Sequence, residues 1–319
     1  MLADVLTTLS AWSAAGEPAA IATVVQVHGS APLPTGTVMA VRADGACMGG
    51  VSGGCVEQQV IEAARDVAGG GAARRLRFAP TDDPLTSTAL PCGGGIDVLV
   101  EAWGPSAAQQ AFAAAVLAGS SAVLRSEAAC DLGLVLHVAA PKPRLVLVGA
   151  GLVADALAGL STGLGWDVSV IDPRSVFADR TTEQVLARWP AEALAAAPPL
   201  GPDDALIALS HHPALDDEAL AAGLASGAGF VGALGSRRSH AERLERLRER
   251  GVPNADLQRL VAPVGLDLGG WSPREVALSI ASELIAVRHG RGGGRLVDAT
   301  GAIHAGSGRV PAAAREVDG

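Results

Sequence analysis

A chain of 319 residues, 49% of them hydrophobic and 18% charged, holds enough apolar material for more than one core, and chains beyond about 250 residues split into domains. The net charge of −9, with no basic stripe interleaved with aromatics, argues against nucleic acid as a partner. No apolar run reaches membrane-spanning length, no basic stretch leads into a signal-like segment, and the four cysteines are scattered, so the expectation is a cytoplasmic protein with reduced thiols.

The elements follow in chain order. Leu2, Val5, Leu6, Leu9 and Trp12 recur at helical spacing and predict an amphipathic opening helix. Ile21 to Val27 reads as a strand stopped by His28-Gly29-Ser30, with Thr37 to Val41 as its hairpin partner. A glycine-rich loop (Gly49, Gly50, Gly53, Gly54) precedes a helix marked by Val56, Val60, Ile61, Ala64 and Val67. Ile96 to Glu101 predicts a strand, Ala107 to Leu117 a helix and Leu132 to Val138 a further strand. With aromatics at 3% and no tyrosine, the core must be built from Ala, Val and Leu. Residues 1–140 are therefore expected to form a smaller α+β domain.

Pro141-Lys142-Pro143 marks the linker, because two prolines interrupt any ladder. Beyond it strands and helices alternate. Leu145 to Val148, Val168 to Ile171, Ala205 to Leu209 and Phe230 to Leu234 read as buried strands. Leu152 to Leu164, Asp216 to Ala225 and Ala241 to Arg250 read as helices. Such alternation predicts a Rossmann-like parallel sheet, an α/β domain over 144–290. Ser272-Pro273-Arg274-Glu275 opens the last long helix, with serine at the N-cap, proline first in the helix and glutamate three residues after the cap. Residues 291–319, rich in Gly, Arg and Ala, are expected to form a flexible tail.

Gly149-Ala150-Gly151-Leu152-Val153-Ala154 follows a strand and opens a helix. Gly149 permits the tight turn, Gly151 lets a pyrophosphate approach the backbone, and Ala154 allows close helix–strand packing. Asp172 ends the next strand, where a carboxylate would accept a ribose hydroxyl, and Arg174 could face an extra phosphate. The alternative is a glycine turn kept for packing alone. Ser236 and Arg237, after the strand ending at Leu234, offer a hydroxyl and a guanidinium for an anion, or form a solvated loop. Ser210-His211-His212 follows another strand; adjacent histidines point to opposite sides and do not suit one metal.

Two thiols sit in glycine-rich surroundings. Gly53-Gly54-Cys55-Val56-Glu57 places Cys55 within the expected first helical turn, where the dipole favours thiolate. Cys92, before Gly93-Gly94-Gly95, lacks bulky neighbours. Cys55 and Cys92 read either as thiols open to a ligand or sulfur donor or as small buried hydrophobes; Cys47 and Cys130 read as structural. Glu57 is either a helix-start carboxylate or a ligand contact. The sequence contains no G-x-S-x-G, H-E-x-x-H or Walker A pattern.

Taken together these segments resemble the XdhC/CoxI family. The resemblance rests on Gly29-Ser30-Ala31-Pro32, Ser52-Gly53-Gly54-Cys55-Val56-Glu57 and Cys92-Gly93-Gly94 in the first half. In the second half it rests on Gly149-Ala150-Gly151, Asp172-Pro173-Arg174, Val231 to Arg237, and Pro263 to Gly269. Two positions depart from the family pattern: Leu33 stands where an arginine is usual, and Leu152 where a histidine is frequent. The resemblance implies a maturation factor rather than a catalyst. It would bind molybdenum cofactor (molybdopterin or its dinucleotide form), support its sulfuration by a cysteine desulfurase, and insert it into an apo molybdenum hydroxylase such as xanthine dehydrogenase. It also implies a homodimer, with Ser30, Gly53, Gly54, Cys55, Glu57, Cys92 and Gly93 near the cofactor and Cys55 or Cys92 touching molybdenum or sulfur. An NAD(P)-dependent oxidoreductase is the alternative that the fingerprint itself suggests.

Overall fold

The computed structural model describes residues 2–79, 93–127, 134–177 and 185–300. The chain divides into two compact units at Pro141/Lys142, the second ending at Ala299.

In the first unit, α1 (Leu2–Ala14) precedes β1 (Ala19–His28), β2 (Val38–Arg42) and β3 (Cys47–Gly49). Then come α2 (Glu57–Ala68), β4 (Arg74–Phe78), β5 (Gly95–Trp103) and α3 (Ala107–Leu117), followed by the hairpin of β6 (Ala122–Glu127) and β7 (Leu134–Ala139). Five strands form an antiparallel sheet in the order β3-β2-β1-β5-β4. Even-numbered residues of β1 (Ala20, Ala22, Val24) pack with Val60, Ala64 and Val67 of α2, while Ala19 and Ile21 join Leu6, Leu9 and Phe112 of α1 and α3. Because both faces are covered, the first six residues of β1 are buried and the segment reads as an apolar run rather than an alternation. The helices and strands expected in this half form among the described residues, to within two residues at their ends; of the strand expected over Leu132 to Val138, residues 134–138 are described and lie in β7. The strands not foreseen are β3, β4 and β6; β4 reads Arg-Arg-Leu-Arg-Phe, an edge whose charges oppose further pairing.

The second unit comprises β8 (Arg144–Val148), α4 (Leu152–Gly163), β9 (Asp167–Ile171), β10 (Val185–Leu186), α5 (Pro190–Ala195), β11 (Ala205–Ala208) and α6 (Pro213–Ala225). It continues through β12 (Phe230–Ala233), α7 (Arg237–Glu249), α8 (Asn254–Leu257), β13 (Leu260–Val261) and α9 (Pro273–Arg288). All six strands are parallel, in the order β10-β9-β8-β11-β12-β13. Leu145, Leu147 and Ile207 face α4 and α9; Val146, Val148 and Leu206 face α6 and α7. The sheet is therefore doubly wound, and strand order reverses between β8 and β11, which opens a crevice beyond their carboxyl ends. The expected cap of α9 is formed. Ser272 Oγ accepts from the Glu275 amide at 3.3 Å, and the Glu275 carboxylate accepts from the Ser272 amide at 2.9 Å. Of the expected tail, residues 291–300 are exposed, including a short 3-10 turn at Leu296–Asp298; 301–319 lie outside the described residues.

Candidate functional site

In the first unit, strand direction gathers the motif loops at one sheet edge. β1 ends at His28 opposite Gly95, where β5 begins, and β4 ends at Phe78 opposite Ile96. β3 is antiparallel to β2, and β2 to β1, so β3 also exits toward that edge. The loops carrying Gly29-Ser30, Gly53-Gly54-Cys55 and Gly93-Gly94 thus leave the same end of the sheet although 60 residues or more separate the first from the last. Gly94 is obligatory there. A Cβ on it would overlap the carbonyl oxygens of Ser30 and His28, so only glycine lets the two loops close on each other. Ser30 and Gly93 are exposed; Cys92 and Cys130 lie outside the described residues.

The Cys55 loop is built around Glu57. Its carboxylate accepts from the amides of Val51 (3.1 Å), Ser52 (2.8 Å), Gly54 (2.8 Å) and Val56 (3.2 Å), and from the Ser52 hydroxyl at 2.5 Å. Ser52 Oγ in turn accepts from the amides of Cys55 and Val56, both at 3.0 Å. Burial pushes the Glu57 carboxyl up, but the hydrogen bonds from Ser52 and the loop amides prevail and hold it at about 2. The loop is an anion nest already filled by the protein's own carboxylate. Glu57 is therefore a structural acceptor, and the Gly54 amide is committed to it. Cys55 lies ahead of the helix rather than in its first turn, because the bonds to Glu57 hold residues 50–56 in turns and α2 begins at Glu57. Its side chain is exposed, so the buried-hydrophobe alternative is overturned for Cys55. Cys47, read as structural, is likewise exposed, on the edge strand β3.

Near the same edge lies a buried cluster that periodicity and motif spacing did not reveal. Asp97 is fully buried, accepts from Arg75 and lies 3.1 Å from His28 Nε2, with Arg77 at 3.9 Å. Burial raises the Asp97 carboxyl, but Arg75 and His28 together hold it below the usual carboxylate range. Arginines at alternate positions 75 and 77 of β4, facing a carboxylate inside an otherwise apolar strand, are the signal in the sequence.

In the second unit, the crevice has the glycine turn on one lip. Gly149 has φ +102°, and a Cβ there would lie 2.5 Å from the Ser210 backbone of the other lip. Asp172 braces this turn. Its carboxylate accepts from the Ala150 amide at 2.8 Å and from Arg174 through the amide (3.0 Å), Nε (2.9 Å) and Nη2 (2.7 Å). The carboxyl is fully buried and, although burial raises it, Arg174 and the two amides hold it low. Both oxygens are engaged within the protein, so Asp172 reads as a brace and a ribose hydroxyl would have to share it. Arg174 is turned onto Asp172 and stacks on Phe177 at 4.5 Å rather than projecting toward a phosphate. Gly151, the N-cap of α4, has open space around it, and Ala154 is buried in the helix–sheet contact.

On the other lip, Ser210 donates to Asp216 at 2.6 Å, and His211 adopts φ +58°, the single non-glycine in the left-handed region among the described residues. At the end of β12, Ser236 is not a free hydroxyl. It caps α7 reciprocally with Ser239, accepting from that amide at 3.2 Å while the Ser236 amide donates to Ser239 Oγ at 2.8 Å. The helix consequently starts at Arg237, one turn earlier than the expected Ala241; serine in place of glutamate at the third helical position hid the capping box. Arg237 is exposed at this helix start. Among the described residues no three His, Cys, Asp or Glu side chains gather as a metal site.

A doubly wound, Rossmann-like unit, joined to an α+β unit that presents a thiol on a carboxylate-organised loop, defines the class. The model described as the XdhC Rossmann domain matches residues 145–284, and that of the XdhC and CoxI family matches residues 12–79. The chain belongs to the XdhC/CoxI family. It is 29% identical to the molybdenum cofactor insertion chaperone PaoD of Escherichia coli K12, over 86% of this chain and 84% of that protein. It is 26% identical to a probable xanthine dehydrogenase subunit of Bacillus subtilis 168, over 85% of this chain and 94% of the relative. Against the uncharacterized YqeB of E. coli K12 it is 28% identical but spans 45% of that longer protein. A crystal structure from Bacillus halodurans, described as that of a xanthine dehydrogenase, superposes with a TM-score of 0.73 at 24% identity, covering 93% of this chain and 97% of the other, and so shares the fold.

Proposed function

We infer that this protein binds molybdenum cofactor and delivers it to an apo molybdenum hydroxylase. The observation that carries the reading is the Cys55 loop: an exposed thiol held by a filled carboxylate nest at the sheet end from which three glycine-rich loops leave. Similarity to a molybdenum cofactor insertion chaperone over most of the chain supports it. Molybdenum that arrives chelated by its own organic cofactor needs one soft protein ligand rather than a cage, and a thiolate is such a ligand. Cys55 is that ligand or the sulfur relay. As a relay, its thiolate takes the outer sulfur of a persulfide on a cysteine desulfurase, forming a persulfide on Cys55 and freeing the desulfurase thiolate, with no net oxidation. Within the second unit, the open approach at Gly151, the start of α4 and Arg237 suit an anionic phosphate or nucleotide group. Ser30 and Gly93 belong to the cofactor edge of the first unit. A cytoplasmic homodimer is the form in which the protein would act.

The test is purification from a molybdenum-replete host with assay of bound metal and pterin. Wild-type protein retains both. Cys55→Ser loses molybdenum or fails in sulfuration while its melting temperature stays within about 1 °C, because an exposed side chain contributes little to stability. Absence of metal and pterin in the wild type, with normal hydroxylase activity after deletion, refutes the reading. The strand order of the second unit favours one further possibility, NAD(P)-dependent hydride transfer. Turnover of nicotinamide absorbance with a substrate panel would establish it.

A further inference from the structure

On the sheet face opposite α2 lies a cavity of about 510 Å3, formed within the first unit and separate from the residues of the Cys55 loop. Ile21, Val38, Phe112 and Leu124 make part of its wall apolar, while Gln109, Arg125 and Ser126 make another part polar. Into this mixed setting β5 brings a carboxylate. Glu101 accepts from the Ser126 hydroxyl and lies 3.2 Å from His137 Nε2, and both the glutamate (12% exposed) and the histidine (9%) are nearly enclosed. Thr23, on the adjacent strand, also lines the cavity, and its buried hydroxyl has no hydrogen-bond partner.

A carboxylate has about four acceptor positions, and Ser126 and His137 use two. Leaving the rest of a nearly enclosed carboxylate unmet is costly, and the volume falls within the roughly 300–1,000 Å3 of small-molecule pockets. We propose that this cavity binds a planar heterocycle through a ring N–H and a neighbouring exocyclic amino group, the edge shared by pterin and guanine, with Glu101 as the acceptor. Two parallel donors match the two carboxylate oxygens as a guanidinium does. The recognition chemistry is the same for pterin and guanine, so the proposal stands apart from the Cys55 site, and titration with guanosine beside pterin tells the two sources apart.

The test titrates the full chain with pterin and with lumazine, which has a carbonyl in place of the amino group, following pterin fluorescence. The wild type is expected to bind pterin at least tenfold tighter than lumazine, since a site built around a hydrogen bond rejects the analogue that lacks it. Glu101→Gln should weaken pterin binding at least tenfold and erase the preference. Leu136→Trp, at an exposed lining position, should block both ligands by filling the cavity. Equal affinity for the two heterocycles, no binding, or wild-type binding by either folded variant overturns the proposal; if Glu101→Gln does not fold, the wild-type preference and Leu136→Trp decide. Lack of molybdenum in the purified protein with the pterin preference intact sinks the cofactor reading alone, and the converse sinks this inference alone.

Discussion

Replacing Glu57 by glutamine changes one atom of a side chain yet should dismantle the loop that presents Cys55. The carboxylate receives four backbone amides and one hydroxyl. Its folded value of about 2, against an ordinary 4.5, corresponds at about 1.4 kcal/mol per pH unit to about 3 kcal/mol, and partial exposure reduces this to about 2 kcal/mol. Glutamine keeps one acceptor oxygen and turns an NH2 toward amides that also donate, so a total loss of about 2–3 kcal/mol, an order-of-magnitude figure, is expected. Because the folded value is depressed, the stabilisation is complete above the unfolded value near 4.5 and is lost as pH falls toward 2. Urea unfolding of wild type and Glu57→Gln should therefore differ fully at pH 7 and by less than half as much at pH 3. Hydrogen exchange should show protection of the Ser52 and Gly54 amides vanishing in the variant. A stability gap below about 0.5 kcal/mol at pH 7, or one that does not change with pH, refutes the nest as the organiser of the loop.

Three further outcomes follow from the second unit. Asp172→Asn frees the Ala150 amide and leaves Arg174 without its charge partner, a loss of about 3 kcal/mol in thermal unfolding. With its folded value lowered, the Asp172 contribution is present at neutral pH and fades in acid. Gly149→Ala drives a Cβ to 2.5 Å from Ser210 and should cost on the order of 3 kcal/mol, whereas Gly151→Ala meets open space and should cost about 1 kcal/mol while weakening nucleotide binding in a titration. Ser272→Ala removes the cap of α9 and should lower stability by about 1 kcal/mol without affecting that binding.

Much of the candidate site was legible because it depends on local chemistry. The strand–glycine–helix run at 145–163 and the Ser272–Glu275 cap are decided within a few residues, and each formed where its residues stand. The role of Asp172 was not legible. Its spacing suits a ribose acceptor, but Arg174 two residues on folds back onto it, and two residues of separation cannot reveal which partner a carboxylate takes. Ser236 was misread for a similar reason: a serine before two arginines looks like an anion contact until Ser239 closes the capping box. The cluster of Asp97, Arg75 and His28 joins residues 22 to 69 apart, beyond the reach of periodicity.

The sequence by itself determined the two-part α/β character, the glycine turn, the helix caps and the family, since hydrophobic period and turn chemistry act over short stretches of chain. Tertiary structure alone decided that Cys55 is displayed rather than buried, that Glu57 fills its own nest, and that the loops at 29–30, 50–56 and 93–94 share an edge. It also decided that Glu101 and His137 meet in a cavity. The physical reason is that strand register and direction bring distant residues together, and a hydrogen bond forms only where that folding places donor and acceptor within about 3 Å.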